Sequence, residues 1–228
     1  MMNKAFVKKI VFSNNFFYTL YTFFSSLLKF FSSLLKKKGR IKIDNKGVGF
    51  IRKIIHGDNN FLQVGKYSVL KNTEILVKGC NNSIIIGKNC FIGENCSFWI
   101  EGSNSTILIG DKCTFTHTVH LCVQEDNMKI EIGEDCMLSN NIIIRTSDSH
   151  PIYDNIGNRI NNPQPVKLGN HVWVAPNSKI FKGVCIGSGS IIGSNSVVTK
   201  CISDNCLAVG MPSVVKKENV KWTRERLY

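Results

Sequence analysis

The sequence predicts an all-β solenoid, a left-handed parallel β-helix preceded by a helical arm and followed by a short C-terminal tail. The first observation is a run of aliphatic residues at every sixth position: Leu168, Val174, Ile180, Ile186, Ile192 and Val198. The second is a glycine directly after the aliphatic residue, as in Ile186-Gly187 and Ile192-Gly193. A period of six fits neither an α-helix nor a two-sided strand. It fits a repeating coil with three short sides, and glycine suits the corners.

Shorter runs with the same spacing precede the long one. They are Val64 and Leu70; Ile86, Ile92 and Phe98; Ile109, Phe115 and Leu121; and Ile132, Leu138 and Ile144. The spacing breaks at about 99–108, 122–131 and 145–167. The first two breaks are short and are interpreted as turn excursions. The third is long and polar, and a long loop leaving a regular solenoid usually carries function.

Small residues follow four positions after the aliphatic residue of many hexads, where the side chain must also enter the narrow interior. They are Ser68, Cys90, Cys96, Cys113, Cys136, Ser178, Ser190 and Ser196. This pattern explains a high cysteine content without disulfides or metal. With no secretory signal at the start, we expect free thiols and a cytoplasmic location. An ordinary β-sandwich is the alternative fold, and six hexads in phase argue against it.

The predicted organisation has three parts: an arm over 1–53, the solenoid over 54–215 with a loop at 145–167, and a tail over 216–228. The arm contains twelve Lys or Arg and one acid, so it carries most of the net charge of +13. It also contains a tandem Phe-Phe-Ser-Ser-Leu-Leu-Lys repeat at 23–36. This pattern is typical of a helix at an anionic membrane surface. It equally permits packing within an oligomer. The nearly neutral body argues against nucleic acid as a partner.

Several motifs in the second half resemble the hexapeptide-repeat acyltransferases. They include Ser147-Asp148-Ser149-His150-Pro151, the run from Pro165 to Val174, and Val209-Gly210-Met211-Pro212. The resemblance covers roughly 64–217 and is strongest to bacterial O-acetyltransferases of capsule, polysialic acid or O-antigen. It implies a homotrimer with active sites between subunits, acetyl-CoA as donor, and no metal. The implied acceptor is a polysaccharide or a lipid-linked sugar, and the enzyme could lie peripherally on the cytoplasmic face of the inner membrane.

His150 is the candidate general base for acetyl transfer to a hydroxyl, because histidine exchanges protons near neutral pH. The family's catalytic histidine matches this position. Asp148 is a candidate to orient the imidazole, and a turn residue is the alternative. Trp173 matches a tryptophan that borders the acetyl and pantetheine end of CoA. Direct transfer needs no covalent intermediate, so no cysteine is expected to act as a nucleophile.

The resemblance assigns cofactor contacts to Ser194, Thr199, Lys200 and Lys217, and the two lysines could pair with the CoA phosphates. Pro176 cannot donate the N–H that relatives often provide. His120, with His117 beside it, matches an acceptor-binding position of galactoside acetyltransferases. Solvated surface charge is the alternative for both lysines, and outward-facing solenoid side chains are the alternative for both histidines.

Three other functions stay open at this point. N-acetylation of an amino sugar or a nucleotide-linked sugar would use the same fold and donor. A zinc hydrolyase resembling prism-shaped carbonic anhydrases would use His117, His120 and His150. A purely structural solenoid is the third.

Overall fold

The computed structural model describes residues 39–227, which form a three-sided parallel β-helix, as the hexad spacing predicts. The predicted helical arm before residue 39 lies outside the described residues. No helix within 39–227 has the length and hydropathy needed to cross a bilayer.

Side one of the solenoid is a sheet of seven parallel strands. In spatial order they are β1 (Ile41–Asn45), β3 (Asn60–Val64), β5 (Ser83–Ile86), β8 (Thr106–Ile109), β10 (Lys129–Ile132), β12 (Val166–Leu168) and β15 (Cys185–Ile186). Each strand is paired in register with its equivalent one coil away, as in Ile84 beside Ile107. Aliphatic residues therefore stack on aliphatic residues throughout the core.

Sides two and three together form the second sheet. Its strands are β2 (Val48–His56), β4 (Val69–Lys78), β6 (Phe91–Glu94), β7 (Ser97–Glu101), β9 (Thr114–Gln124), β11 (Met137–Arg145), β13 (Trp173–Val174), β14 (Lys179–Ile180), β16 (Ile191–Ile192), β17 (Val197–Val198), β18 (Leu207–Val209) and β19 (Val214–Lys217). Only β19 pairs in the antiparallel sense, with β18. The long strands, such as β9 and β11, bend around a corner and serve both sides.

The interior positions are occupied as the spacing predicts. Phe98, Phe115 and the aliphatic residue of each hexad are buried. The predicted small residues are buried too, including Ser68 and Cys113. The Cys113 Sγ lies 3.1 Å from the carbonyl oxygen of Gly133 in the next coil, where Ser68 Oγ donates to Gly87 at 2.7 Å. Serine and cysteine therefore occupy the same position, each satisfying a corner carbonyl. Burial raises the pKa of the Cys96 thiol to about 11, which does not suit a nucleophile.

Each of the two short breaks in the hexads contains the end of a lengthened side-three strand and the turn after it, as its interpretation as a turn excursion predicts. Side three in these coils is a five-residue strand, as in β7, followed by a tight turn. The strand and turn recur 23 residues later, where Ser103 N donates to Asp126. A search for hexads does not find this 23-residue repeat, because 23 is not a multiple of six.

The predicted boundary at 53/54 was wrong, because the solenoid already includes residues 41–53. β1 pairs with β3 and β2 pairs with β4. Inward-facing Ile41, Ile51 and Ile55 pack on the core. In a strand, alternate residues face opposite sides, so the intervening lysines lie outside and make the segment look like part of a basic arm.

Candidate active site

The third break in the hexads is a hairpin, residues 146–165, that leaves the corner between side three and side one. Tyr153 and Arg159 form an antiparallel bridge, and Ile160 N donates to the Ile152 carbonyl at 2.9 Å. At the base, Gln164 N donates to the Thr146 carbonyl at 2.9 Å. The loop is therefore ordered by its own backbone hydrogen bonds.

Glu125 anchors the hairpin to the preceding coil. Arg159 donates two hydrogen bonds to its carboxylate, at 2.6 and 2.8 Å, and Ser147 Oγ donates a third at 2.6 Å. The Arg159 guanidinium lowers the pKa of Glu125. The equivalent turns of three earlier coils have glycine at this corner, at Gly57, Gly79 and Gly102. Our sequence reasoning missed Glu125 and Arg159, and this exception to a glycine column was the available signal.

Asn161 and Lys182 hold the first residues of the hairpin. The Asn161 side-chain amide donates to Asp148 Oδ2 and to the His150 carbonyl, both at 2.9 Å, and its oxygen accepts from Ile152 N at 2.7 Å. Lys182, from the corner of the next coil, forms an ion pair with Asp148. Asn161 is buried, and it closes the loop around the backbone of His150. Sequence reasoning missed both Asn161 and Lys182.

Asp148 was a candidate to orient the imidazole of His150, but in the structure it contacts other groups. Its carboxylate is engaged by Lys182 and Asn161. The Lys182 ammonium lowers the pKa of Asp148, and the Asn161 amide acts in the same direction. A full positive charge is a stronger partner for a carboxylate than a neutral ring. In this arrangement Asp148 anchors the loop.

His150 lies at the root of the hairpin with its side chain exposed. Asn161 holds its backbone carbonyl, and no residue within 39–227 forms a hydrogen bond with its imidazole. The neighbouring Ser149 accepts from Arg145 and donates to Gln124, both at 2.6 Å. The hairpin thus fixes the backbone of His150 and leaves its imidazole exposed.

Trp173 lies on side two, half-buried, beside a tail that folds back onto the same side. Trp222 stacks on His171 with ring centroids 3.9 Å apart and an interplanar angle of 8°. Its ring centroid is 5.9 Å from that of Trp173. Arg224 donates to the Asp135 carboxylate at 2.7 Å, and so fixes the tail further along. The C-terminal tail is thus docked on the solenoid, and the sequence offered no signal for its contact.

His120 and His117 both belong to β9 but differ in surroundings. His120 begins the side-three part of the strand, and its Nδ1 lies 2.5 Å from Ser97 Oγ. Burial lowers the pKa of His120, and the charge of Arg145 acts in the same direction. His117 lies exposed at a corner, 3.1 Å from Thr118 Oγ1. Of the two, His120 is the more enclosed.

The predicted cofactor residues occupy the C-terminal coils. Ser194 lies at the corner between sides two and three, and Thr199 and Lys200 lie at the corner after side three. Lys217 ends β19, and all four residues are exposed. They are distributed over more than one side, and Trp173 lies on side two. One chain therefore does not gather the predicted residues into a single pocket. Within 39–227, no three His, Cys, Asp or Glu side chains group as metal ligands.

Acid should release the hairpin, since both carboxylate anchors have lowered pKa values. A lowered folded-state pKa means that the anchor contributes fully above the ordinary value and is lost as pH falls through the lowered one. The ordinary values are 4.5 for Glu125 and 3.8 for Asp148. We expect backbone NMR signals of 146–165 to remain dispersed at neutral pH and to collapse only below these values. Glu125→Gln should collapse them at neutral pH, and a dispersed loop in that variant would contradict the assignment.

Removing the tail's indole should destabilise the C-terminal coils. We expect Trp222→Ala to lower the free energy of unfolding by about 3 kcal/mol, near the lower end for a buried tryptophan because it lies in a terminal segment. Urea unfolding measures the change. Trp222→Phe retains a ring on His171 and should recover part of the loss, while exposed Lys221→Ala serves as the control. An unchanged midpoint in Trp222→Ala would show that the tail docks without stabilising the fold.

Known proteins share this three-sided solenoid. The bacterial transferase hexapeptide model, of six repeats, matches residues 165–200, and the hexapeptide repeat of succinyl-transferase matches 83–115. The crystal structure of the polysialic acid O-acetyltransferase OatWY is 30% identical, with a TM-score of 0.59, over 82% of this chain and 93% of that chain. The chain belongs to the bacterial hexapeptide-repeat transferase family.

Other relatives agree with this membership. The crystal structure of the polysialic-acid-specific acetyltransferase NeuO is 29% identical, with a TM-score of 0.67, over 82% of this chain and 90% of that one. The polysialic acid O-acetyltransferase of Escherichia coli O1:K1 / APEC is 36% identical over 88 residues, which are 38% of this chain and 29% of that protein. The galactoside O-acetyltransferase of Escherichia coli strain K12 is 44% identical over 54 residues, 24% of this chain and 27% of that one. The matched segments thus span less than a third of these two curated relatives.

Proposed function

We propose that this chain is an acetyl-CoA-dependent O-acetyltransferase that modifies a sugar hydroxyl of a bacterial surface polysaccharide. The observation that carries the proposal is the exposed imidazole of His150 on a hairpin held by Glu125, Asn161 and Lys182. An exposed imidazole that makes no hydrogen bond to residues 39–227 is available for proton transfer. The acetyltransferases among the relatives support the choice of reaction and of a polysaccharide acceptor.

In the proposed reaction, His150 accepts the proton of the acceptor hydroxyl while its oxygen attacks the thioester carbonyl carbon. The carbon–sulfur bond then breaks, the acetyl group stays on the sugar oxygen, and the CoA sulfur takes up a proton. Fixing the hairpin lowers the cost of aligning base and hydroxyl. The loop's contacts with Glu125, Asn161 and Lys182 therefore contribute through geometry.

The exposed side chains of the C-terminal coils fit an elongated anionic donor. Lys200 and Lys217 provide ammonium groups for the CoA phosphates, and Thr199 lies at the same corner as Lys200. Trp173, supported by Trp222, provides an apolar surface for the pantetheine end. Acetyl-CoA would supply the activated acetyl group, and these residues would bind and orient it.

A homotrimer would bring together residues that one chain keeps apart. The hairpin exposes four large apolar side chains: Ile152, Tyr153, Ile156 and Ile160. Exposed apolar clusters of this kind usually mark contact surfaces. Packing of the hairpin against a neighbouring subunit would cover them and place His150 beside that subunit's donor site. Light scattering should give three times the mass of the chain, and a monomer with full activity would contradict this part of the proposal.

The basic, aromatic-rich N-terminal segment supports a peripheral location on the cytoplasmic face of the inner membrane. Liposome flotation tests it with the full chain and with a variant lacking residues 1–38, which precede the solenoid. Equal binding of both proteins to anionic liposomes would contradict it.

A panel of polysaccharides tests the reaction itself. The enzyme is incubated with acetyl-CoA and polysialic acid, O-antigen or capsule polymers, CoA release is followed, and the acetyl group is located by NMR. We expect an ester on a sugar oxygen. An amide on an amino sugar would replace the proposal with N-acetylation, and no transfer to any carbohydrate would overturn it.

A further inference from the structure

Side three carries a straight row of outward side chains. Register pairing stacks them one coil apart, so that each lies directly beside the next: Glu74, Ser97, His120, Ile143 and Lys179. Neighbouring strands are about 4.8 Å apart, so the four steps of this row extend about 19 Å along the solenoid. We call it the side-three row.

Two depressions adjoin on this row, and His120 belongs to both. One has a volume of about 290 Å³, and its lining includes Trp99, Lys78 and Glu74. The other has a volume of about 360 Å³, and its lining includes Asn141 and Lys179. Together they form a groove that crosses successive coils of side three.

The groove combines an aromatic wall with separated polar groups. The ring centroids of Trp99 and His120 lie 5.8 Å apart, and the Lys78 Nζ lies 5.6 Å from the Trp99 centroid. Ser97 engages His120 Nδ1, and no residue within 39–227 engages the other ring nitrogen, Nε2. An apolar ring face beside hydroxyl-binding groups suits the pyranose ring, which has a C–H face and a hydroxyl rim.

We infer that this groove binds the acceptor polysaccharide lengthwise, with successive sugar units on Trp99, His120 and the Asn141–Lys179 end. The inference rests on the proposed function and adds where on the fold the polymer binds. A peptide strand is a poorer occupant, because the backbone groups of side three are already paired within the sheet and offer no free edge. The step of one coil is also comparable to the length of one pyranose unit.

Side three joins this groove to the hairpin. A polar ladder at its far edge runs from Lys78 through Glu101 to Gln124, whose Nε2 donates to Glu101 at 3.1 Å. Gln124 then accepts from Ser149, the residue before His150, at 2.6 Å. A polymer in the groove would therefore lie on the face from which the base-carrying loop emerges.

The test measures KM against acceptor length. The probe is the polymer that is acetylated fastest in the panel above, together with its fragments of two to ten sugars. We expect the wild-type KM to fall with length as more of the groove is filled. Trp99→Ala should raise the KM of the long fragments about 3- to 10-fold, leave that of the shortest nearly unchanged, and leave the KM of acetyl-CoA unchanged.

Lys179→Ala tests the opposite end of the groove and changes an exposed side chain. If Trp99→Ala fails to fold, this variant alone tests whether the groove binds the polymer. Tyr67→Ala, an exposed aromatic at a corner outside side three, is the matched control. The inference is overturned if wild type shows no dependence on length, or if both variants retain it. Absence of any carbohydrate acetylation by wild type would instead overturn the proposed function, and this inference with it.

Discussion

His150→Ala should lower kcat by about 10²- to 10⁴-fold, the range that general-base catalysis contributes. The imidazole is exposed, and the contacts that order the hairpin involve only the backbone of this residue. Alanine therefore removes the base without removing an anchor. CoA release in the presence of acceptor measures the change, and we expect the KM for acetyl-CoA to stay close to that of wild type.

The matched control for this substitution is His56→Ala, which removes an exposed histidine at the end of β2, remote in sequence from the hairpin. It should retain wild-type activity. Unfolding midpoint and oligomeric mass should be the same in all three proteins. A His150→Ala enzyme that turns over at the wild-type rate would refute the assignment of the base.

Asn161→Ala should lower kcat by about 10- to 100-fold, because small misplacements of a reacting group are costly. This buried amide holds Asp148, the His150 carbonyl and Ile152 N at once. Its removal takes away these three hydrogen bonds at the root of the hairpin, while the ion pair between Lys182 and Asp148 remains. We call Asn161 a positioning residue, since it acts through the placement of His150.

The kinetic split distinguishes positioning from general damage. In Asn161→Ala, kcat should fall while the KM for acetyl-CoA and the unfolding midpoint of the solenoid change little. Asn155→Ala, at the exposed tip of the same hairpin, is the matched control and should behave as wild type. Equal losses in kcat and in acetyl-CoA affinity would instead indicate that the whole site is disturbed.

Local spacing was sufficient to predict the solenoid. Leu168, Val174 and Ile180 stand six apart because each coil side needs one inward aliphatic residue. The small buried residues, such as Cys113, follow from the same narrow interior. The 23-residue register was not predicted, because it relates residues in successive coils. The inclusion of 41–53 in the solenoid was not predicted either, because lysines alternate with isoleucines there.

The position of His150 on the long loop could be predicted because a short motif surrounds it. His150 is placed in the sequence by its neighbours and by the length of the polar break, and the structure puts it on a hairpin. The partners of Asp148 could not be read in this way. Lys182 lies 34 positions along the chain from it, and only the stacking of one coil on the next brings them together.

The sequence by itself determined the repeating coil, its buried fillers and the position of the long loop, because each depends on neighbours within one or two hexads. Tertiary structure alone decided how the loop is held, where Trp222 docks, and that Trp99 and His120 share a groove. The physical reason is that a solenoid places residues 23 positions apart side by side, as Ser97 and His120 are. Hydrogen bonds, ion pairs and ring contacts then form between coils, and these depend on register.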